Sequence, residues 1–154
     1  MYLINIMKLG YLLSILLALI SFSSYAEEVS HPGVQIKTLV RSTQDWNGSD
    51  LPQYSKSSPE VTVLKYIIPP HAQLPIHKHP FINAAYVASG EITVIRKEDD
   101  ERAYERTFKQ GEVIVEMVDQ WHYGVNRGQN PVELIVFYAG TPNQALAIKQ
   151  DPIQ

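Results

Sequence analysis

His77-Lys78-His79-Pro80-Phe81-Ile82-Asn83, continuing through Ala84-Ala85-Tyr86-Val87-Ala88 to Ser89-Gly90, is the stretch whose reading decides the fold. On an extended strand, residues two apart point to the same face, so His77 and His79 present two imidazoles to one point in space. Phe81 and Asn83 share their parity, and the four side chains are expected on one face, turned toward the interior of the molecule. A third histidine, His122, lies in the second half of the chain, and only five histidines occur in all. Two strand-spaced imidazoles with a distant third form the donor set of a metal chelate, because neutral imidazole is the commonest protein ligand for transition metals.

Working outward from this stretch, the text reads as strand and turn. Val61 to Ile68 is a β-branched run ended by Pro69-Pro70; Ile76 to Ala88 is a second, ended by Ser89-Gly90. Glu91 to Arg96, Tyr104 to Phe108, Val113 to Val118 and Val132 to Tyr138 complete the set. They are separated by the charged turn Lys97 to Arg102, read as a solvated hairpin tip, by Gln110-Gly111, by Asp119 to Asn126, and by Arg127-Gly128-Gln129-Asn130-Pro131. Val34 to Val40 alternates apolar and polar residues and predicts a further strand at the beginning. Arg41 to Pro59 has no period and predicts a long ordered loop, with Trp46 and Tyr54 packed against the body. No helical period occurs, and short strands at regular spacing predict an all-β sandwich or small barrel.

The beginning of the chain reads as an address. Met1 to Lys8 carries one positive charge and no acid, Leu9 to Phe22 is almost wholly apolar, and Ser24-Tyr25-Ala26 has the form of a signal-peptidase site before Glu27-Glu28. Residues 1–26 are therefore expected to be a cleaved secretory signal, leaving 27–154 as a single exported domain, periplasmic or secreted, with no stable membrane anchor. The net charge of -3 and the scattered Lys and Arg give no basic stripe for nucleic acid. Cysteine is absent, so the expected core holds without disulfides, and thiolate ligands and thiol nucleophiles are excluded.

Two spaced motifs then place the chain. Its sequence resembles the cupin superfamily, whose first motif is G-x5-H-x-H-x3or4-E-x6-G and whose second is G-x5-P-x-G-x2-H-x3-N. The first maps onto His71, His77, His79, Asn83 and Gly90 with every interval kept, His71 standing for the first glycine and Asn83 for the glutamate. The second maps onto Gly111, Met117, Asp119, His122 and Asn126, again with every interval kept, Met117 and Asp119 standing for proline and glycine. The resemblance implies a small double-stranded β-helix, a jelly-roll barrel. It also implies that His77, His79 and His122 converge on one divalent transition metal (Fe, Mn, Ni, Cu or Zn), with Asn83 in the place of the usual acidic ligand.

An asparagine offers a neutral carbonyl oxygen where the family has a carboxylate, so the expected site is more open and more positive. An uncompensated ion favours a small anionic or oxygen-bearing molecule. Asn83 and Glu116 are the candidate hydrogen-bonding or proton-transferring groups; Asn83 is alternatively a buried amide that serves the backbone or orients a neighbouring imidazole, and Glu116 a salt-bridged or outward-facing strand residue. Trp121 and Tyr123 are candidates for the pocket mouth or for closing the barrel end, and Phe81, Tyr86 and Tyr138 for the interior. The functional expectation is a metal-dependent enzyme, dioxygenase-like, with a non-catalytic ligand-binding or sensing module, with or without metal, as the alternative. The resemblance also implies pairing into a homodimer.

Overall fold

The computed structural model describes residues 33–97 and 104–150. The expected leader and most of the expected charged hairpin tip, residues 98–102, fall outside the described residues. Among the described residues nine strands follow one another: β1 (Glu60–Ile68), β2 (His77–Lys78), β3 (Asn83–Ser89), β4 (Glu91–Arg96), β5 (Tyr104–Lys109), β6 (Val113–Val115), β7 (His122–Val125), β8 (Val132–Gly140) and β9 (Ile148–Lys149). No helix occurs among the described residues, and every strand lies in the compact unit that starts at Lys37.

The strands form two antiparallel sheets, one ordered β1-β8-β3-β6 and the other β5-β4-β7-β2-β9, the double-stranded β-helix arrangement expected from the motifs. Alternation explains which residues face inward. In β8, Val132, Leu134, Val136 and Tyr138 are buried, while the residues between them are more exposed. In β3 the buried set is Asn83, Ala85 and Val87, and Tyr86 between them is 38% exposed, so Tyr86 does not belong to the interior where the sequence had placed it. Ile68, Phe81, Ile92, Val94, Phe108 and Ile114 complete the apolar filling, each side chain contributing about 1.5–3 kcal/mol when fully removed from water.

Two expected strands change. Val34 to Val40 forms none; it has the alternation of a strand but makes no ladder. Ile76 to Ala88 is broken in the middle, because Pro80 has no N–H to give to a ladder, and the chain leaves one sheet after His79 and enters the other at Asn83. The shared parity of His77, His79, Phe81 and Asn83 therefore does not describe one continuous strand face. Conversely, β7 lies inside the segment read as a connection, and β9 was not expected.

In the loop over residues 41–59, the Asp45 carboxylate accepts from the backbone N–H groups of Asn47 (2.8 Å) and Ser49 (3.0 Å). Trp46 docks the loop by giving its backbone N–H to the Val115 carbonyl (2.9 Å) and setting its ring edge-on to Phe108 (6.3 Å). Tyr54 is 82% exposed and pins nothing.

The positions where the motifs ask for glycine explain themselves in backbone terms. His71 has φ 60° and Asp119 has φ 55°, so both keep the left-handed conformation that glycine would adopt freely. Motif spacing survives because the turn geometry survives. At Asp119 a short polar side chain tolerates this region; at His71 the ring is exposed and makes only a 3.3 Å contact with Gln129. His71→Gly is therefore expected to be neutral or to stabilise by up to about 1 kcal/mol, and His71→Val to destabilise by about 1–2 kcal/mol. Thermal and urea unfolding of the two variants checks the ordering; equal stabilities would contradict the strain.

Candidate metal centre

The inner face of the five-stranded sheet gathers the three histidines. His77 in β2 is the direct cross-strand partner of His122 in β7, so their rings stand on the same side with centroids 4.6 Å apart. His79 follows two residues later, held by an isolated parallel bridge to Val118 and by the Asp119 N–H on its carbonyl (2.8 Å). Its ring centroid lies 4.9 Å from that of His77 and 5.2 Å from that of His122. His79 and His122 are 3% and 2% exposed, and His77 is half-buried.

Each ring is anchored in the same way. Nδ1 of His77 lies 2.8 Å from the Pro75 carbonyl, Nδ1 of His79 lies 2.8 Å from the Leu146 carbonyl, and Nδ1 of His122 lies 2.8 Å from the Gln120 carbonyl. A carbonyl only accepts, so Nδ1 carries the proton in each case, and in the neutral ring the Nε2 lone pair is left free. One ligand atom from each of the three rings lies within 4.8 Å of the others. Backbone-anchored imidazoles with converging lone pairs are how proteins orient metal-binding histidines.

The walls are apolar. The three histidines open into a cavity of about 150 Å³ lined by Leu74, Ile92, Val94, Ile114, Leu134 and Val136, with Tyr66, Tyr138, Glu116 and Lys149 as further polar members. Tyr138 sets its ring 5.6 Å from that of His79, and its hydroxyl lies 3.3 Å from that of Tyr66. Burial, with help from Tyr66, pushes the Tyr138 phenol well above its ordinary range, so it remains a protonated donor. Neither Tyr66 nor Lys149 was singled out in the sequence; a tyrosine in a plain strand and a lysine near the end of the chain carry no local signal.

Glu116 faces inward, 9% exposed, rather than out to solvent. Its Oε2 lies 3.3 Å from Nε2 of His122, yet the two atoms lack hydrogen-bond geometry, and both are buried without a partner. Burial acts to raise the Glu116 carboxyl, but the histidines around it, His122 first, outweigh this and hold it below its ordinary value. For His122, burial acts to lower the pKa, and the Glu116 carboxylate outweighs it, with a net upward shift. His79 is held low by burial, and His77 is lowered by burial to about 4.

Asn83 is completely buried; its Nδ2 donates to the Phe81 carbonyl at 3.3 Å, and its Oδ1 has no partner. It does not line the cavity. Trp121 and Tyr123 do not line it either, and Trp121 instead lies beneath the Lys78 ammonium (5.4 Å). Asn126 is a structural tie: its Nδ2 lies 2.8–3.0 Å from the carbonyls of Ile68, Pro69 and Asn130, and its Oδ1 accepts from the Gly128 N–H.

The donor set fits a metal. Three imidazoles, each with Nδ1 set on a backbone carbonyl and with one ligand atom apiece within 4.8 Å of the others, present the nitrogen donors that a transition metal takes.

Comparison with known proteins agrees with the fold. A family model described as a cupin domain matches residues 64–138. A search of curated proteins finds no match. Among solved structures, the chain is similar to an oxalate oxidase, with 25% identity, 52% of this chain and 42% of that chain covered, and a TM-score of 0.46. It is also similar to the oxalate decarboxylase of Lactobacillus farciminis in its formate complex, with 21% identity, 58% and 26% covered, and a TM-score of 0.50. A third is a protein with a double-stranded beta-helix domain from Klebsiella pneumoniae, with 21% identity, 63% and 90% covered, and a TM-score of 0.48. The chain thus spans less than half the length of the two oxalate enzymes.

The lowered pKa of His77 has a measurable consequence in the metal-free protein. The unfolded chain protonates this ring near 6.5 and the folded chain near about 4, so between these values the unfolded state binds more protons. Stability contributed by the neutral ring is complete above about pH 6.5 and declines as pH falls toward about 4, by about 2–3 kcal/mol. Urea unfolding of metal-free parent and His77→Gln protein across this range should show a steeper acid loss in the parent. Parallel slopes would contradict a neutral buried ring.

Proposed function

We propose that this cupin-superfamily protein holds one divalent transition metal through Nε2 of His77, His79 and His122 and acts there on a small, oxygen-bearing anion. The observation that carries the reading is the triple anchoring of the rings: three Nδ1–H groups, each 2.8 Å from a backbone carbonyl, leave three converging lone pairs. Such a bound metal supplies Lewis-acid polarisation of a substrate oxygen and, where it is redox-active, oxygen chemistry.

The chain's own residues define the rest. Ile92, Val94, Leu134 and Val136 give the cavity apolar walls, which lower the local dielectric and strengthen the electrostatic interactions inside it. Lys149 is part of the same cavity wall, and its positive charge favours an anion there. Tyr138 supplies a hydroxyl that stays protonated and donates to a substrate oxygen. The volume of about 150 Å³ restricts the ligand, since a cavity of about this size holds a molecule such as benzene. Short carboxylates, oxalate and formate among them, are the first compounds to try. A carrier that binds such a molecule without converting it would use the same cavity, and turnover separates the two.

The support for export is the apolar leader with its Ser24-Tyr25-Ala26 site, and the mature protein is expected to begin at Glu27 when N-terminal mass spectrometry is applied to material recovered from the producing cells. Untagged protein analysed by plasma emission should contain close to one equivalent of transition metal, and His79→Ala and His122→Ala should lose nearly all of it. Trace metal in the parent, equal to that in both variants, sinks the proposal.

A further inference from the structure

The first-motif glutamate is missing from β3, but a carboxylate stands at the position opposite it, that of Glu116. In the β3-β6 ladder Ala84 pairs with Val115 and Tyr86 with Val113, and the next step brings Asn83 opposite Glu116, whose N–H donates to the Asn83 carbonyl at 3.1 Å. On the other side Asn83 pairs with Tyr138 of β8. Tyr138, Asn83 and Glu116 thus form one row across three strands, and directly opposed residues in an antiparallel ladder share a face with Cβ atoms about 4.5–5.5 Å apart. The two outer members of the row line the cavity with the histidines.

We propose that Glu116 is the anionic fourth ligand of the metal held by His77, His79 and His122, its carboxylate having moved one strand across the sheet while Asn83 fills the vacated position as a neutral residue. The inference rests on the three-histidine reading given above. Two observations support it independently of motif spacing. Oε2 of Glu116 and Nε2 of His122 are 3.3 Å apart, and two ligand atoms each about 2.0–2.1 Å from one tetrahedral ion stand about 3.3 Å apart. Both atoms are also buried, and although they stand at ion-pair distance, neither has a partner of hydrogen-bond geometry.

The relocation changes the charge of the site. A divalent ion with three neutral imidazoles keeps two positive charges, whereas one carboxylate reduces this to one. A monoanionic ligand then neutralises the centre.

The test uses the metal-stripped full chain titrated with Co2+, read by affinity and by the visible absorption of the bound ion, which reports its ligands. Glu116→Gln is expected to weaken Co2+ by more than about 100-fold, beyond the 10–100-fold typical of a residue that only orients a ligand, and to alter the spectrum. Returning the carboxylate to the other strand, in Glu116→Gln combined with Asn83→Glu, is expected to recover most of the affinity and a four-ligand spectrum. Should Glu116→Gln fail to fold, Glu116→Asp, which withdraws the carboxylate by one methylene, must change the spectrum.

A parent that binds Co2+ while Glu116→Gln binds it equally or more tightly, with an unchanged spectrum, overturns the assignment, and Glu116 is then only a counter-charge to His122. Loss on Asn83→Ala with none on Glu116→Gln overturns it in favour of the amide. A parent that binds no Co2+ overturns the three-histidine reading itself, and this inference with it.

Discussion

The contact on which the site depends is the hydrogen bond from an imidazole Nδ1–H to a backbone carbonyl, made three times. Each such bond is worth about 1 kcal/mol of net stability, which is modest, but together they select the tautomer and rotamer of all three rings. Two are local: His77 reaches back to Pro75 and His122 reaches back to Gln120, so a short turn before each strand fixes the ring that follows. The third is not. His79 is anchored to Leu146, sixty-seven residues away, and this ties the end of the chain to the site. The β9 ladder with β2 and the Gln150 N–H on the Ile76 carbonyl hold that segment in place and put Lys149 on the cavity wall. The last strand, two residues long, is therefore part of the site's construction rather than a loose end.

Around these anchors the protein places charge where charge is expensive. Glu116 and the three histidines sit among Ile, Val and Leu side chains, in surroundings where an unpaired carboxylate costs several kcal/mol. The arrangement offsets this with mutual attraction: Glu116 is held ionised by the histidines and in turn raises His122, while His77 and His79 remain neutral under burial. An apolar wall thus does two things at once. It stabilises the fold through burial, and it lowers the local dielectric so that a few polar groups act strongly on a ligand.

How much of this could be read from the sequence depends on whether a feature is local. The His-x-His spacing and the two-motif intervals are local, and they led directly to the jelly-roll fold and to three histidines that do meet. The turn positions occupied by His71 and Asp119 were legible as substituted glycines, and their positive φ values show that spacing carries more information there than residue identity. What failed was parity continued through Pro80, because the period of two applies within one strand and the chain changes sheets at that proline. β7 was hidden because Gly124 and the polar residues Asp119, Gln120 and Asn126 on either side of the strand look like a connection. The direction of Glu116 was hidden for a different reason: Val113, Ile114, Val115, Met117 and Val118 around it are all apolar, so no alternation exists from which to tell in from out.

That last ambiguity bears on how a site of this kind is defined. A linear motif names the residue that brings a carboxylate to a point on the sheet, but the point belongs to the face, not to the strand. Cross-strand neighbours reach toward the same volume, since directly opposed residues share a face with Cβ atoms about 4.5–5.5 Å apart. Asn83 and Glu116 are such neighbours, joined by a backbone hydrogen bond of 3.1 Å, and only Glu116, just beyond β6, lines the cavity. A sequence comparison by position registers the loss of an acid at residue 83 and treats the acid at residue 116 as an unremarked strand residue. The ladder register shows that both readings concern one site, and that the relevant unit of comparison is the row Tyr138, Asn83, Glu116 across three strands.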